Sequence, residues 1–187
     1  SYLEVEESNN LDSEDFTIQF WMMPGYSSEE MTIISLDDAG NDNGYNLSLN
    51  NNLILTIGDE STSITVDKNI ESYQWINVAI VFDSFNKVSI YLDGQLVKES
   101  EIDFTPGYSD SPKLHIGSKY DSNISQSPIN HFDGWLEDIK IWSNPLTSDQ
   151  IINSMVYDSI YTDQNMVGYY KFNDDQNGIV YDHSNNQ

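Results

Sequence analysis

The residues of this chain with the plainest chemical potential are oxygen donors gathered at turns. The sharpest such turn is Asp37-Asp38-Ala39-Gly40-Asn41-Asp42-Asn43-Gly44, which leads into the patterned stretch Tyr45-Asn46-Leu47-Ser48-Leu49. A hard divalent cation takes about six to eight oxygen ligands from Asp and Asn side chains, loop carbonyls and water, so turns of this composition point to calcium. The turn is not an EF-hand loop: with Asp38 as position one, Gly40 falls where an oxygen-bearing side chain is needed. Asp182, Ser184 and Asn185 make another oxygen-rich turn. There an Asp side chain bonding backbone amides two residues on explains the pattern without a metal. The second chemistry on offer is stacking against sugar rings, because an aromatic face matches the C–H face of a pyranose. Tyr26, Tyr45, Tyr108 and Tyr120 fall in or beside loops, and Trp135 sits between Gly134 and Leu136.

Composition narrows the partners. The formal charge of −24 rests on 31 acidic residues against seven basic ones, all of them Lys. Phosphate recognition relies on Arg forks and Lys clusters, so a nucleic-acid partner is excluded, and an anionic membrane surface would repel the chain. Such a charge strains the compact state unless cations bind or salt screens it. With no cysteine there are no disulfides, no zinc–thiolate sites and no thiol catalysis. No apolar run is long enough to insert in a bilayer.

The elements that must position these turns are short strands. In Phe16, Ile18, Phe20 and Met22 the apolar residues alternate with Thr17 and Gln19, the period of a half-buried strand. Further strands are expected at 2–7, 31–36, 45–49, 53–57, 62–66, 113–117 and 167–173. Residues 75–83 and 86–94 read as two amphipathic strands joined by a tight turn and closed by a second turn at Asp93-Gly94. Trp21, Trp75 and Trp142 fall within patterned strands and read as packing residues. One helix is expected, over 147–156, with Thr147 and Gln150 forming a capping box. The rhythm predicts an all-β fold of one domain spanning residues 1–187.

Several motifs resemble the laminin-G-like and pentraxin branch of the concanavalin A-like jelly rolls. Trp75 precedes a hairpin reaching Tyr91-Leu92-Asp93-Gly94. Later come Phe132, Gly134, Glu137, Asp138 and Trp142, then Leu146, Thr147, Gln150 and Ile151 at a helix start. The likeness also takes in residues 16–24 and 167–186. It implies a two-sheet antiparallel jelly-roll sandwich with one short helix. It further implies calcium ligands. Asp42 and Asn43 match a pentraxin Asp-Asn pair, and Asp121, with the Tyr120 carbonyl, matches the loop that completes that site. Lys119 stands where a Glu belongs, which limits the place to one ion. Asp138 matches a structural calcium ligand of the superfamily, with Asp12 or Glu14 beside it. Tyr45, Tyr120 and Trp135 are the candidate ligand-binding aromatics.

Laminarinase-type glycoside hydrolases share that scaffold and carry Glu-x-Asp-x-x-Glu on one strand, because retaining chemistry needs carboxylates about 5 Å apart. The spacing is absent, and Glu4/Glu6 and Glu137/Asp138 are incomplete versions of it. His115, His131 and His183 have no Gly-x-Ser-x-Gly elbow to serve. The expected function is therefore a non-catalytic, calcium-binding recognition or adhesion module for a glycan or cell-surface ligand. It would be excised from a large multi-module protein, secreted or on the cell surface, with neighbouring modules of the parent chain beside it. The alternatives are a structural spacer that calcium only rigidifies, and a glycoside hydrolase on the same fold.

Overall fold

The structure, a computed structural model, describes residues 2–5, 15–37, 44–57, 62–83, 86–102, 113–119, 127–156, 164–173 and 179–184. The chain forms two compact units, one built from Ser1–Asp12, Pro24–Gln74 and Phe104–Gly134, the other from Ser13–Met23, Trp75–Asp103 and Trp135–Gln187. Each holds one antiparallel six-stranded sheet, and the helix belongs to the second. The all-β class with one short helix is as the alternation predicts.

The first sheet contains β1 (Leu3–Val5), β3 (Met31–Asp37), β4 (Tyr45–Asn50), β5 (Asn52–Ile57), β6 (Thr62–Asn69) and β10 (Lys113–Ile116), in the order β1-β10-β3-β4-β5-β6. Its register sorts the side chains into two rows. Leu3, Ile116, Ile34, Leu47, Leu55 and Ile64 lie opposite one another across all six strands. One residue away, Glu4, His115, Ser35, Asn46, Thr56 and Ser63 do the same. Successive strand residues point to opposite faces, so one face of this sheet is apolar and the other polar. A one-residue slip of any strand would exchange the rows, which fixes the pairing.

The second sheet contains β2 (Phe16–Pro24), β7 (Ile76–Asp83), β8 (Lys87–Leu92), β9 (Gln95–Glu101), β11 (Gly134–Trp142) and β12 (Met166–Tyr170), in the order β12-β11-β2-β7-β8-β9. Phe16, Ile18 and Phe20 pair with Phe82, Ile80 and Val78, and the Phe16 and Phe82 rings stack 4.2 Å apart. The opposite face carries Thr17, Gln19, Ala79 and Val81, and α1 (Ser148–Val156) covers part of it. The helix begins as the capping box requires: Thr147 N donates to Gln150 Oε1 at 2.9 Å, and Gln150 N to Thr147 Oγ1 at 3.3 Å. Ile151 is then fully buried in a cluster with Ala79, Val81, Trp142, Leu146, Met166 and Tyr169.

Polar groups fasten the helix to the sheet. Gln19 Nε2 donates to Asn77 Oδ1 at 2.8 Å and to the Ile151 carbonyl at 3.1 Å, while the Ser154 hydroxyl donates to Gln19 Oε1. The last turn of the helix contains no basic residue. Lys140 of β11 supplies the missing cation, donating from Nζ to the Ser154 carbonyl at 2.8 Å. A cation there complements the carbonyls left open at a helix C-terminus.

Two details depart from the sequence reading. Trp75 is not a packing residue but 42% exposed, just ahead of β7. The expected list also lacks β9, whose Gln-Leu-Val-Lys-Glu-Ser-Glu pattern carries few apolar residues; pairing to β8 makes it a strand.

Candidate functional site

In the first unit, three segments converge on a cleft of about 180 Å³. They are the loop after β2, the β4–β5 turn and the end of β6. Backbone hydrogen bonds assemble it. Ile70 N donates to the Asn51 carbonyl at 3.1 Å, Tyr73 N to the Pro24 carbonyl at 2.7 Å, and Gly25 N to the Asp133 carbonyl at 2.7 Å. Asn51 holds φ at 60°, a left-handed conformation that Asn adopts readily, and this lets the β4–β5 connection turn on one residue. Tyr73 holds φ at 62°, uncommon for a bulky residue.

The cleft takes the apolar part of its lining from buried Met31, Leu49 and Ile70. Its rim is polar and aromatic: Tyr26, 74% exposed, with Ser27, Asn51, Asn69, Glu71 and Ser72. Asn69 Nδ2 donates to Glu71 Oε1 at 2.8 Å. That bond fixes the amide and carboxylate relative to each other and leaves a donor and an acceptor on the Asn69 amide and acceptor capacity on the Glu71 carboxylate. Ser27 Oγ accepts from Glu29 N at 3.0 Å and organises the loop that carries Tyr26. A hydroxyl-rich ring has apolar C–H faces and edges that both donate and accept, and this lining answers each requirement. The volume is below the roughly 300–1,000 Å³ of drug-sized pockets and suits a single ring.

The residues expected from sequence fare differently. Tyr45 is not a surface platform: it is 7% exposed at the start of β4, paired to Leu36 and Ile57. The loop–strand boundary was expected before it, but the residue alternates in phase with Leu47 and Leu49 and is drawn inward with them. Trp135, at the start of β11 in the second unit, is 56% exposed. Asp138 is half-buried in β11 with φ at 52°, and the Tyr169 hydroxyl donates to its Oδ1 at 3.0 Å. Asp42, Asn43, Tyr120, Asp121, Asp12, Glu14 and Tyr108 lie outside the described residues. Among the described residues, no three His, Asp or Glu side chains gather as a metal site.

Asp182 makes the expected turn. Its Oδ1 accepts from Ser184 N and from Tyr169 N, each at 2.8 Å, and its Oδ2 from Ser184 Oγ at 3.0 Å. His115 is fully buried in β10, with Nε2 4.0 Å from Glu4 Oε2. Burial holds its pKa below the usual histidine value, the nearby Glu4 charge pulls it back up, and Lys113 lowers it further. The Tyr2 ring lies 6.4 Å from His115 and 6.1 Å from His131.

Tyr26 was visible in the sequence as a loop aromatic, whereas Asn51, Asn69 and Glu71 belong to no motif. The only hint is that Asn51 sits in the run Asn50-Asn51-Asn52 and that Asn69 and Glu71 flank an isolated apolar residue, Ile70.

Comparison with known structures places the fold. A candidate carbohydrate-binding protein from Bacteroides ovatus superposes with a TM-score of 0.71 at 20% identity, over 90% of this chain and 49% of that one. A heptameric SAP-like pentraxin from Limulus polyphemus gives 0.63 at 22% identity, over 75% of this chain and 69% of that one. Domain 4 of AbnA, an extracellular arabinanase from Geobacillus stearothermophilus solved with arabinotriose, gives 0.60 at 19%, over 78% and 68%. The chain thus spans about half the length of the first of these. At such identities the likeness shows a common fold, the concanavalin A-like jelly roll. A laminin-G-type family model matches residues 1–152, most of the sequence. On that match the chain belongs to the concanavalin A-like lectin/glucanases superfamily.

Proposed function

We propose that this chain is a non-catalytic carbohydrate-recognition module, and that the cleft beneath Tyr26 receives one sugar ring. The observation that carries this reading is the lining itself. Met31, Leu49 and Ile70 line the cleft together with an exposed tyrosine and a hydrogen-bonded amide–carboxylate pair. Those are the groups that sugar binding uses, stacking for the ring face and paired donors and acceptors for the hydroxyls. Support of a general kind comes from structural relatives described as carbohydrate-binding or solved with an oligosaccharide.

The same reading makes the module part of a larger extracellular or surface protein, with calcium at Asp42, Asn43 and Asp121 relieving the repulsion among its carboxylates. Isothermal titration against neutral oligosaccharides, in millimolar calcium and in EDTA, tests it. Tyr26→Ala is expected to weaken binding by roughly tenfold with the melting temperature unchanged, since an exposed stacking ring contributes to the complex and little to the fold. Equal affinity in wild type and variant would remove the cleft from the reading. Calcium stabilisation with no glycan heat would favour a spacer.

A further inference from the structure

Resting on the carbohydrate reading of the cleft, we infer that it selects glycans by charge: it favours a ring bearing a free ammonium and rejects uronic, sialic and sulfated rings. The lining supplies a carboxylate and no cation. Glu71 stands on the rim with one oxygen held by Asn69, and none of the other lining residues is basic. A second carboxylate lies against the wall, because a Cβ placed on Gly25 would come within 2.9 Å of Asp133 Oδ2. Glu29 and Glu30, exposed on the loop that carries Tyr26, add two more.

The surroundings do not reverse this sign. Between Pro24 and Gln74 the one basic residue is Lys68, exposed on β6 beside exposed Asp67. Elsewhere in the same unit Lys113 is engaged with Glu4 at 2.7 Å. The whole chain carries −24. A sugar carboxylate or sulfate entering this cleft would be desolvated against like charge and repelled on approach, while an amino sugar would be drawn in and would place its ammonium within reach of Glu71. Opposite unit charges about 4 Å apart in water correspond to roughly a fivefold gain in affinity, and the gain shrinks as salt screens them.

The test is a glycan array, followed by titration of the best neutral hit, its amine-bearing analogue and its uronic-acid analogue. It is run in calcium buffer at 0.05 and about 0.5 M NaCl ionic strength. The expected order is amine over neutral by roughly fivefold and neutral over anionic by at least as much, both gaps narrowing at high salt. Glu71→Gln, an exposed and nearly isosteric change, should lower affinity for the amine-bearing analogue more than for the neutral one and so erase most of the amine-over-neutral ratio; circular dichroism confirms that it folds, and an unchanged ratio would overturn the inference. Anionic rings binding as well as neutral ones, or a calcium-bridged preference for them, would overturn the inference while leaving carbohydrate binding standing. An array with no hits at all would overturn both.

Discussion

His115 is the residue whose surroundings say most about how the fold responds to its medium. It is fully buried in a polar row of the first sheet, with Glu4 and Lys113 as its charged neighbours and the Tyr2 ring tilted 6.4 Å away. Burial lowers its pKa in the folded state below 6.5, against a partial pull upward from Glu4 and a further lowering by Lys113. The unfolded chain therefore binds a proton first as pH falls, and between about 6.5 and the lower folded value it holds more protons than the native state. Stability must decline on acidification through that window. Glu4 acts in a different one. Its carboxyl is lowered below 4.5, chiefly by the Lys113 hydrogen bond, so the stability it contributes is present above 4.5 and lost as pH drops through the folded value. The two are separable by urea denaturation of wild type and His115→Gln at pH 7.5, 6.5, 5.5 and 5. The wild type's advantage should shrink steadily over this range. A difference constant with pH would mean that His115 titrates alike in both states.

At the scale of elements, the turn between β8 and β9 and the helix over it are built for each other. Gly94 has φ at +75°, and a Cβ there would sit 2.7 Å from Ile152 Cγ1 and 3.4 Å from Met155 Sδ. Gly94→Ala combines a disfavoured backbone conformation with an intrusion into the helix, and should cost about 1–3 kcal/mol in a denaturant titration. Adding Ile152→Ala relieves only the contact, so the double variant should recover part of the loss; complete recovery would show that the backbone carries no strain. Elements like this one are legible in the sequence because Asp-Gly turns, alternation and capping residues are local signals. The two rows that cross the first sheet follow from alternation in each strand. The cleft is different. Tyr26, Asn51 and Glu71 are separated by long stretches of chain, and what joins them is backbone bonding from Tyr73 to Pro24 and from Ile70 to Asn51. No side-chain pattern encodes those bonds. Trp75 misled for a related reason, since a large aromatic beside an apolar run resembles core until the strand's first paired residue turns out to be Ile76.

For the molecule as a whole, charge is the dominant unsettled energy. With −24 on a chain of 187 residues, like-charge repulsion opposes compaction, and ion pairs such as Lys87 with Asp83 and Glu99 and Lys113 with Glu4, among the described residues, offset a small part of it. Two remedies act at different ranges. Monovalent salt screens every exposed pair beyond a Debye length, about 10 Å at 0.1 M and 3 Å at 1 M, so the melting temperature should climb smoothly with NaCl. A bound divalent ion instead saturates. At a concentration 100 times its Kd it stabilises the native state by about 2.7 kcal/mol, which for a chain of this size is about 5–10 °C. Calorimetry in calcium, in magnesium at equal ionic strength and in EDTA therefore separates the two. The oxygen-rich turns predict a calcium increment above the magnesium one, because a flexible set of carboxylate and carbonyl oxygens suits the larger ion. Replacing Asp42 and Asp121 together by Ala should abolish that increment while the response to NaCl persists, since screening depends on the whole surface and coordination on a few atoms. Identical melts in calcium and EDTA would leave salt as the only relief and take the cation site out of the protein's design.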